Sequence, residues 1–208
     1  TADAGAMSPA GAAVPWGRVA VVIACIFADA LNMMMVFPFL PFLVRDLVAL
    51  SPDRESSVAL YAGALAGAYK LGQFGVAPAY GLASDRVGRR PVMLASLALG
   101  PFLLLLFATA PSFRAAFLWR LLQGVAAGGA TVGTAYLADV TDARSEARAF
   151  SSVGLAMGTG VVLGPSLGGA LARPCHQYPR AHIFGPAVCG EGRPLRRYPY
   201  LLPCLASA

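Results

Sequence analysis

The sequence predicts an all-α integral membrane protein, a bundle of membrane-spanning helices. Its 208 residues are 57% hydrophobic and 12% charged, whereas soluble domains carry about 25% charged residues. Five apolar runs follow one another, each of 19 to 26 residues, and roughly 20 residues of helix cross a bilayer core. Short polar segments join the runs, so neighbouring helices are expected to be antiparallel.

The apolar runs set the predicted boundaries. Residues 1–18 are predicted to form a cytosolic tail and residues 19–208 the transmembrane bundle. The last run is too short to span a bilayer, so we expect the chain to stop within a truncated sixth helix. The first run is too long for a signal peptide and lacks a small-residue cleavage site. The predicted helices are 19–44, 58–80, 92–110, 115–138, 149–172 and the incomplete 198–208.

Small residues and prolines recur inside the runs. Glycines at four-residue spacing predict close helix packing, because in lipid close backbone approach and dispersion hold helices together. These are Gly63/Gly67, Gly124/Gly128, Gly129/Gly133, Gly154/Gly158 and the series Gly160, Gly164 and Gly168. Prolines remove a backbone donor and predict kinks, here at Pro38, Pro41, Pro101 and Pro165.

The net charge of +6 does not indicate nucleic-acid binding. The basic residues form small groups between apolar runs, where the lipid bilayer and its head groups account for them. Their distribution favours a cytosolic N-terminus, with Arg18, Arg86, Arg89, Arg90, Arg144 and Arg148 inside against Arg45, Arg54 and Arg114 in the first two opposite loops. Five arginines in the final loop run against this pattern.

Residues 81–91 carry the strongest local signal, with the sequence GLASDRVGRRP. A tight interhelical turn needs glycine where the backbone is crowded. Asp85 can accept hydrogen bonds from free amides at a helix N-terminus, and the arginines suit the head-group level.

This segment resembles the loop signature that follows helix two in the major facilitator superfamily, with Ser84 at a position where alanine is usual. Residues 120–124 (RLLQG) resemble the family's fourth-helix signature, and residues 160–169 (GVVLGPSLGG) resemble its fifth-helix signature, which is associated with antiporters. The residues that carry this last signature are Gly160, Gly164, Pro165, Gly168 and Gly169.

The resemblance implies the N-terminal half of a twelve-helix secondary transporter, a six-helix bundle that lacks its C-terminal partner half. It implies alternating access for a small-molecule or ion substrate, in proton-coupled antiport. It also implies a conformational switch built from Gly81, Asp85, Arg86, Gly88, Arg89 and Arg90. The charged residues after the fourth run would meet this switch, or else form a solvated loop; they are Asp139, Asp142, Arg144, Glu146 and Arg148.

Residues 37–46, 71–74 and 198–205 resemble the zinc-induced-facilitator-like branch of that family. That resemblance implies a multi-pass protein of the vacuolar or plasma membrane, whose substrates include metal chelators and small ions. The chain departs from the branch at Tyr80, where tryptophan is usual, and it lacks the branch's N-terminal cysteine motif.

Ionisable and polar residues inside the runs are candidates for the transport pathway, because a charge at the bilayer centre normally faces a cavity or a partner. Asp29 is the candidate protonatable or substrate-binding carboxylate, or else one member of an ion pair with Lys70 or Arg120. Arg120 would serve proton coupling by its signature, or reach the interface by snorkelling. The remaining candidates, Asn32, Gln73 and Gln123, either line the pathway or join helices by hydrogen bonds.

We expect no cofactor, no bound metal and no covalent catalysis. No G-x-x-x-x-G-K-[ST] segment is present, so ATP drive is not supported. Cys175 and Cys189 are candidates for a disulfide, with a metal site that includes His176 and His182 as the alternative. Uniport, symport and a non-transporting membrane protein remain the alternatives to antiport.

Overall fold

The computed structural model describes residues 16–48, 55–177 and 198–207. Within these ranges the chain contains no β-strand, which confirms the predicted all-α class. Residues 1–15 of the predicted tail lie outside the described residues, and α1 begins inside that tail. The helices are α1 (Trp16–Met35), α2 (Leu40–Val48), α3 (Glu55–Val87), α4 (Arg89–Ala108), α5 (Phe113–Ala126), α6 (Gly129–Val140), α7 (Ala143–Leu171), α8 (Pro174–Gln177) and α9 (Leu201–Ser207).

Three helical segments of the described chain are long and apolar enough to cross a membrane: Val19–Val48, Arg89–Ala108 and Ser145–Leu171. Large apolar side chains also remain exposed on the long helices, with Phe74 at 82% and Leu155 at 70% exposure. A water-soluble bundle rarely leaves such contiguous apolar surface uncovered. Lipid or a further protein surface is the environment that this exterior fits.

The first predicted helix, 19–44, is interrupted. Residues Phe37–Phe39 form a single 3₁₀ turn between α1 and α2, and the amide of Leu40 donates to the carbonyl of Val36 at 3.1 Å. Pro38 lies in this turn and cannot donate a helical hydrogen bond, which accounts for the interruption. By contrast, Pro101 and Pro165 lie inside uninterrupted helices.

The fourth predicted helix, 115–138, is wrong as a single element, because it breaks between α5 and α6. Side chains of neighbouring helices bind the backbone groups around the break. Gln73 donates to the carbonyl of Ala127 at 3.2 Å, and the hydroxyl of Tyr80 donates to the carbonyl of Val125 at 2.8 Å. Irregular backbone at membrane depth is tolerated where such partners satisfy it.

The predicted loop at 81–91 is far shorter than expected. Helix α3 continues to Val87, α4 begins at Arg89, and Gly88 alone makes the turn. Gly88 has φ 98°, a left-handed conformation that glycine adopts without a side-chain clash. The long helices α3 and α4 therefore meet directly at this end of the bundle.

Glycines of α7 bring that helix against the backbone of α1. A Cβ atom on Gly160 would lie 2.8 Å from Cβ of Ala30, one on Gly164 would lie 2.8 Å from Cβ of Met34, and one on Gly168 would overlap the carbonyl of Met35. Gly72 and Gly124 bring α3 and α5 together in the same way. The packing prediction is wrong for Gly63, Gly67, Gly154 and Gly158, around which a Cβ atom would meet nothing within 4 Å.

Candidate functional site

A small cavity lies at the middle of the bundle, beside the break between α5 and α6. Its polar lining comes from α1, α3, α4 and α5 and includes Asp29, Asn32, Tyr69, Ser96 and Gln123. The volume is about 30 Å³, room for about two water molecules. Three of the predicted pathway residues therefore share one cavity.

Asp29 lies half-buried on α1 and forms no salt bridge with Lys70 or Arg120, all three of which are described residues. The ion pair considered from the sequence is therefore absent from this structure. Lys70 instead donates to Oε1 of Gln73 at 3.1 Å and lies 5.5 Å from the centre of the Tyr69 ring. The carboxylate faces the cavity with its acceptor oxygens available.

Arg120 does not reach the surface, since 1% of it is exposed. Its Nη1 donates to Oε1 of Gln123 at 2.6 Å. The guanidinium also lies 4.7 Å from the centre of the Tyr69 ring and 5.6 Å from that of Phe107, within the range of cation–π attraction. These contacts hold the cation inside the bundle, and its Nε has no hydrogen-bond partner in the described part of the chain.

Asn32 lies one turn beyond Asp29 on α1 and lines the same cavity. Its amide donates to the carbonyl of Ala28 at 3.0 Å, which leaves Oδ1 buried without a partner among the described residues. An unpaired buried acceptor is costly. The α1 wall of the cavity thus offers acceptors, whereas Arg120 and Lys70 do not line the cavity and donate to Gln123 and Gln73.

Gln73 lies outside the cavity lining. It joins Lys70 to the carbonyl of Ala127, so its described contacts are those of an interhelical hydrogen-bonding residue. Tyr69 and Ser96 line the cavity and were not predicted. The Tyr69 ring borders both cations, and Oγ of Ser96 accepts from the amide of Gly129 at 2.9 Å. Neither residue carries a sequence signal that separates it from other aromatic or small polar residues in an apolar run.

The predicted switch residues lie at the junction of α3 and α4. Arg89 forms a salt bridge of 2.6 Å with Asp139 at the end of α6. Asp85 and Arg86 lie exposed in the last turn of α3. The predicted capping role of Asp85 is wrong, because Gly88 is the N-cap of α4 and no side chain caps this helix start with a hydrogen bond. Gly81 lies within α3 in open space, and Arg90 is exposed.

A second charged cluster, not predicted from the sequence, lies at the opposite end of the bundle. Nη2 of Arg173 donates to both carboxylate oxygens of Asp46, at 2.9 and 3.0 Å. The hydroxyl of Tyr200 donates to the same carboxylate at 2.5 Å, and the Tyr200 ring stacks on Phe39 with centroids 5.2 Å apart. This cluster ties together α2, the end of α7 and the start of α9.

Only some of the residues in the cysteine prediction lie in the described part of the chain. Cys175 is disulfide-bonded, whereas Cys25 and Cys204 are free thiols. Cys189 and His182 lie outside the described residues. The described part of the chain contains no group of three histidine, cysteine or acidic side chains placed to hold a metal ion.

The helical bundle and its apolar exterior are the features of an integral membrane protein. The family model of the Major Facilitator Superfamily matches residues 22–174, and the chain belongs to this family. The predicted family is thereby confirmed, and so is the prediction that the protein is an integral membrane protein.

Curated relatives include the tetracycline resistance protein, class C, of Escherichia coli, 38% identical over 151 residues, or 73% of this chain and 37% of the relative. Protein ZINC INDUCED FACILITATOR-LIKE 1 of Arabidopsis thaliana is 31% identical over 196 residues, or 92% of this chain and 38% of the relative. The predicted likeness to the zinc-induced-facilitator-like branch is confirmed. The chain spans less than two fifths of the length of these relatives.

The crystal structure of the human organic anion transporter MFSD10 is similar to this chain, with a TM-score of 0.68 and 26% sequence identity. The similarity covers 93% of this chain and 46% of the human protein. The described fold is therefore that of one half of a superfamily transporter, in agreement with the predicted N-terminal bundle.

Proposed function

We propose that this chain forms one half of a secondary transporter that exchanges a small solute for protons by alternating access. The observation that carries the proposal is Asp29, a carboxylate in a cavity of the bundle without a salt bridge to either neighbouring cation. The substrate would bind where this half faces a second half of about six helices. No covalent step is involved.

Asp29 is suited to proton exchange because it differs from the other charges near the cavity. Arg120 is held by Gln123 and by two aromatic rings, and Lys70 is engaged by Gln73. A carboxylate without such contacts can be neutral in one state and charged in another, and it changes between them by binding or releasing one proton. A charge at membrane depth is expensive without a partner, so protonation and substrate binding are alternative ways to neutralise it.

Arg120 would then provide a fixed positive charge that opposes retention of the proton when substrate or water enters. Its burial and its bond to Gln123 keep its position constant through the cycle. Asn32 and Gln123 would hold water or substrate beside Asp29 through their amide groups. This division assigns the mobile charge to Asp29 and the stationary charge to Arg120.

The proposed conformational switch is the end of the bundle where α3 meets α4. The Arg89–Asp139 salt bridge would hold one state. Asp85 and Arg86, which are exposed beside it, would contact the second half when that side closes. We propose the vacuolar or plasma membrane as the location, following the likeness to the zinc-induced-facilitator-like branch.

The substrates for a test are chosen from what the relatives are named for and from the resemblance to the zinc-induced-facilitator-like branch, which implies metal chelators. One relative is a tetracycline resistance protein, another is the multidrug transporter mfsB of Aspergillus fumigatus, and the similar structure is an organic anion transporter. Tetracycline, a fluorescent organic anion and a zinc chelate are therefore the first probes.

The test uses the complete gene product, reconstituted in proteoliposomes with an imposed pH gradient. We expect the gradient to drive uptake of at least one probe and Asp29→Asn to abolish the driven uptake. Asp29→Asn should retain exchange of labelled for unlabelled probe without a gradient, because that exchange needs no proton. Asp29→Glu keeps the carboxylate and should recover part of the driven uptake.

Arg120→Gln should also reduce the driven uptake, and Arg114→Gln is its matched control, since Arg114 lies exposed near the start of the same helix. Uptake that does not respond to the gradient in the wild type would indicate a uniporter. Uptake of none of the three probes would favour a non-transporting membrane protein. Equal driven uptake by wild type and Asp29→Asn would contradict the role of Asp29.

A further inference from the structure

A second, larger groove lies at the end of the bundle where α1 begins. It is lined by α1 through Gly17, Val21 and Cys25, by α4 through Arg90 and Leu94, and by α6 through Tyr136. Its volume is about 480 Å³, within the range of about 300–1,000 Å³ that is usual for small-molecule sites. The pathway residues Asp29, Asn32, Arg120 and Gln123 do not line it.

The walls of the groove are predominantly apolar and face outward. Val21 is 62% exposed and Leu94 is 56% exposed, so the groove opens on the exterior of the bundle. Tyr136 packs its ring against the apolar cluster formed by Val19, Val22 and Ile26, which closes the inner side. A hydrocarbon chain is the kind of group that such a surface accommodates.

One end of the groove carries a positive charge that has no ion-pair partner among the described residues. Arg90 is exposed and forms no hydrogen bond or ion pair with any described residue. Its neighbour Arg89 has the opposite arrangement and is paired with Asp139. The hydroxyl of Tyr136 likewise makes no hydrogen bond with a described residue, so a cation and a donor accompany the apolar walls.

The charged end of the groove coincides with the level expected for the lipid head groups. Gly17 and Arg90 lie at the beginnings of α1 and α4, and Tyr136 lies in the last turns of α6. Trp16, next to Gly17, is 46% exposed, and tryptophan is enriched at membrane–water interfaces. Below this level the groove extends along α1 and α4 towards Cys25.

We infer that this groove is a binding site for an anionic phospholipid of the surrounding bilayer, with the phosphate at Arg90 and Tyr136 and an acyl chain along Val21 and Leu94. Basic pockets between transmembrane helices are suited to anionic head groups. A free phosphate would gain nothing from the apolar walls, and a zwitterionic lipid would gain less from the cation. The inference does not depend on the proposed transport function.

Cys25 can report on the groove, because it is a free thiol that lines it. Cys25 also lines the cavity beside Asp29, so its protection is interpreted together with the Arg90 and Leu94 variants, which change groove residues alone. Bound lipid should shield this thiol from an alkylating reagent. Cys204 is free and completely buried, so it should remain unreactive with or without lipid. Peptide mapping by mass spectrometry separates Cys25 from any other reactive cysteine in the protein.

The experiment titrates delipidated protein in detergent with phosphatidylglycerol or phosphatidylcholine of identical acyl chains and follows binding by native mass spectrometry. We expect Arg90→Gln to weaken phosphatidylglycerol binding about fivefold, the effect of one basic residue near anionic head groups. It should leave phosphatidylcholine binding unchanged. The matched control Arg86→Gln, an exposed arginine outside the groove, should stay within about twofold of the wild type.

Alkylation of Cys25 supplies the second readout. Phosphatidylglycerol should slow it in the wild type and in Arg86→Gln, but not in Arg90→Gln, and millimolar inorganic phosphate should have no effect. Leu94→Asn, which keeps Arg90, should also lose the protection. Equal binding of the two lipids, equal protection by inorganic phosphate, or equal losses in Arg86→Gln and Arg90→Gln would each overturn the inference.

Discussion

At the end of the bundle where α3 turns into α4, one salt bridge joins Arg89 to Asp139, with side-chain exposures of 26% and 57%. At the opposite end, Asp46 accepts hydrogen bonds from Arg173 and from Tyr200. The first end, the α3–α4 end, has one salt bridge between two helices among the residues that the structure describes. The second, the α7–α9 end, has a network supported by aromatic stacking.

The backbone conformations at the two ends of the bundle differ as well. At the α7–α9 end Arg173 has φ 51°, a conformation that is uncommon outside glycine and that persists where surrounding contacts determine it. The amide of Arg173 donates to the carbonyl of Pro199 at 2.9 Å, and its side chain binds Asp46. At the α3–α4 end the only left-handed residue among those described is Gly88, which adopts this conformation with no steric penalty.

The difference matters for the proposed alternating-access cycle, which requires a change of conformation. An exposed salt bridge contributes about 0.2–1 kcal/mol, so it can break and form again at small cost. At the other end one nitrogen of Arg173 donates to both oxygens of Asp46, and the Tyr200 hydroxyl is a further donor, so more charge-assisted contacts must break together. For the proposed cycle we therefore expect the α7–α9 end to stay fixed and the α3–α4 end to supply the reversible contact.

The largest expected effect comes from glycine positions along α7. In Gly168→Val, the added Cβ would overlap the backbone of Met35, which cannot move like a flexible side chain. We expect a destabilisation of about 3 kcal/mol, the upper part of the usual range for overpacking, seen as a lower unfolding midpoint in detergent. Gly158→Val is the matched control on the same helix and should change stability by less than about 0.5 kcal/mol. Equal effects of the two variants would contradict the assigned α1–α7 contact.

The next effect concerns the α7–α9 network. Asp46→Asn removes the charge that pairs with Arg173 and one of the acceptor oxygens. Because both side chains are partly exposed, we expect a loss of about 1–2 kcal/mol rather than the larger cost of a buried pair. Chemical denaturation at two salt concentrations checks this, since the loss should shrink at high salt. A neutral result would show that the α7–α9 end is no more firmly held than the other.

A smaller effect is expected from Tyr200→Phe at the same end. This change removes the hydroxyl donated to Asp46 but keeps the ring that stacks on Phe39. The expected loss is about 0.5–1.5 kcal/mol, the usual net contribution of one hydrogen bond. In the Asp46→Asn background the same change should cost less, because the two residues share one interaction. Strictly additive losses would mean that the hydroxyl acts independently of the carboxylate.

Much of this arrangement was predictable from the sequence, and particular residues show where prediction ended. The α7 signature correctly indicated tight packing at Gly160, Gly164 and Gly168. Gly154 and Gly158 have the same spacing yet face open space, because spacing places residues on one helix face without identifying what that face contacts. Hydropathy likewise could not show that α5 and α6 are separate, since an apolar run continues through the break.

The candidate site shows the same limit. The sequence identified Asp29 and Arg120 as charges at membrane depth but left open whether they pair. Whether Arg120 pairs with Asp29 depends on Tyr69 and Gln123. The guanidinium of Arg120 packs on the Tyr69 ring and donates a hydrogen bond to Gln123. The partner of Arg89 was equally open, because several acidic residues follow α6 and only the packing of α4 against α6 brings Asp139 to it.

The smallest expected effect on stability, and the sharpest test of the comparison, is Arg89→Gln at the α3–α4 end. Loss of an exposed pair should lower the free energy of unfolding by no more than about 1 kcal/mol. If the pair also holds one conformational state, the same change should shift the distribution between outward- and inward-facing states. That shift can be measured as a changed distance distribution between one spin label on this bundle and one on the proposed second half.

Exchanging the charges of Arg89 and Asp139 separates the contribution of this pair to stability from its proposed contribution to one conformational state. Arg89→Asp combined with Asp139→Arg restores attraction between the same helices and should recover the wild-type distance distribution, whereas each single change should not. Asp46→Asn is the comparison from the opposite end and should lower stability without moving the distribution. If Asp46→Asn moves the distribution as much as Arg89→Gln does, the reversible contact is not confined to the α3–α4 end, because both ends then respond to the loss of one charge pair.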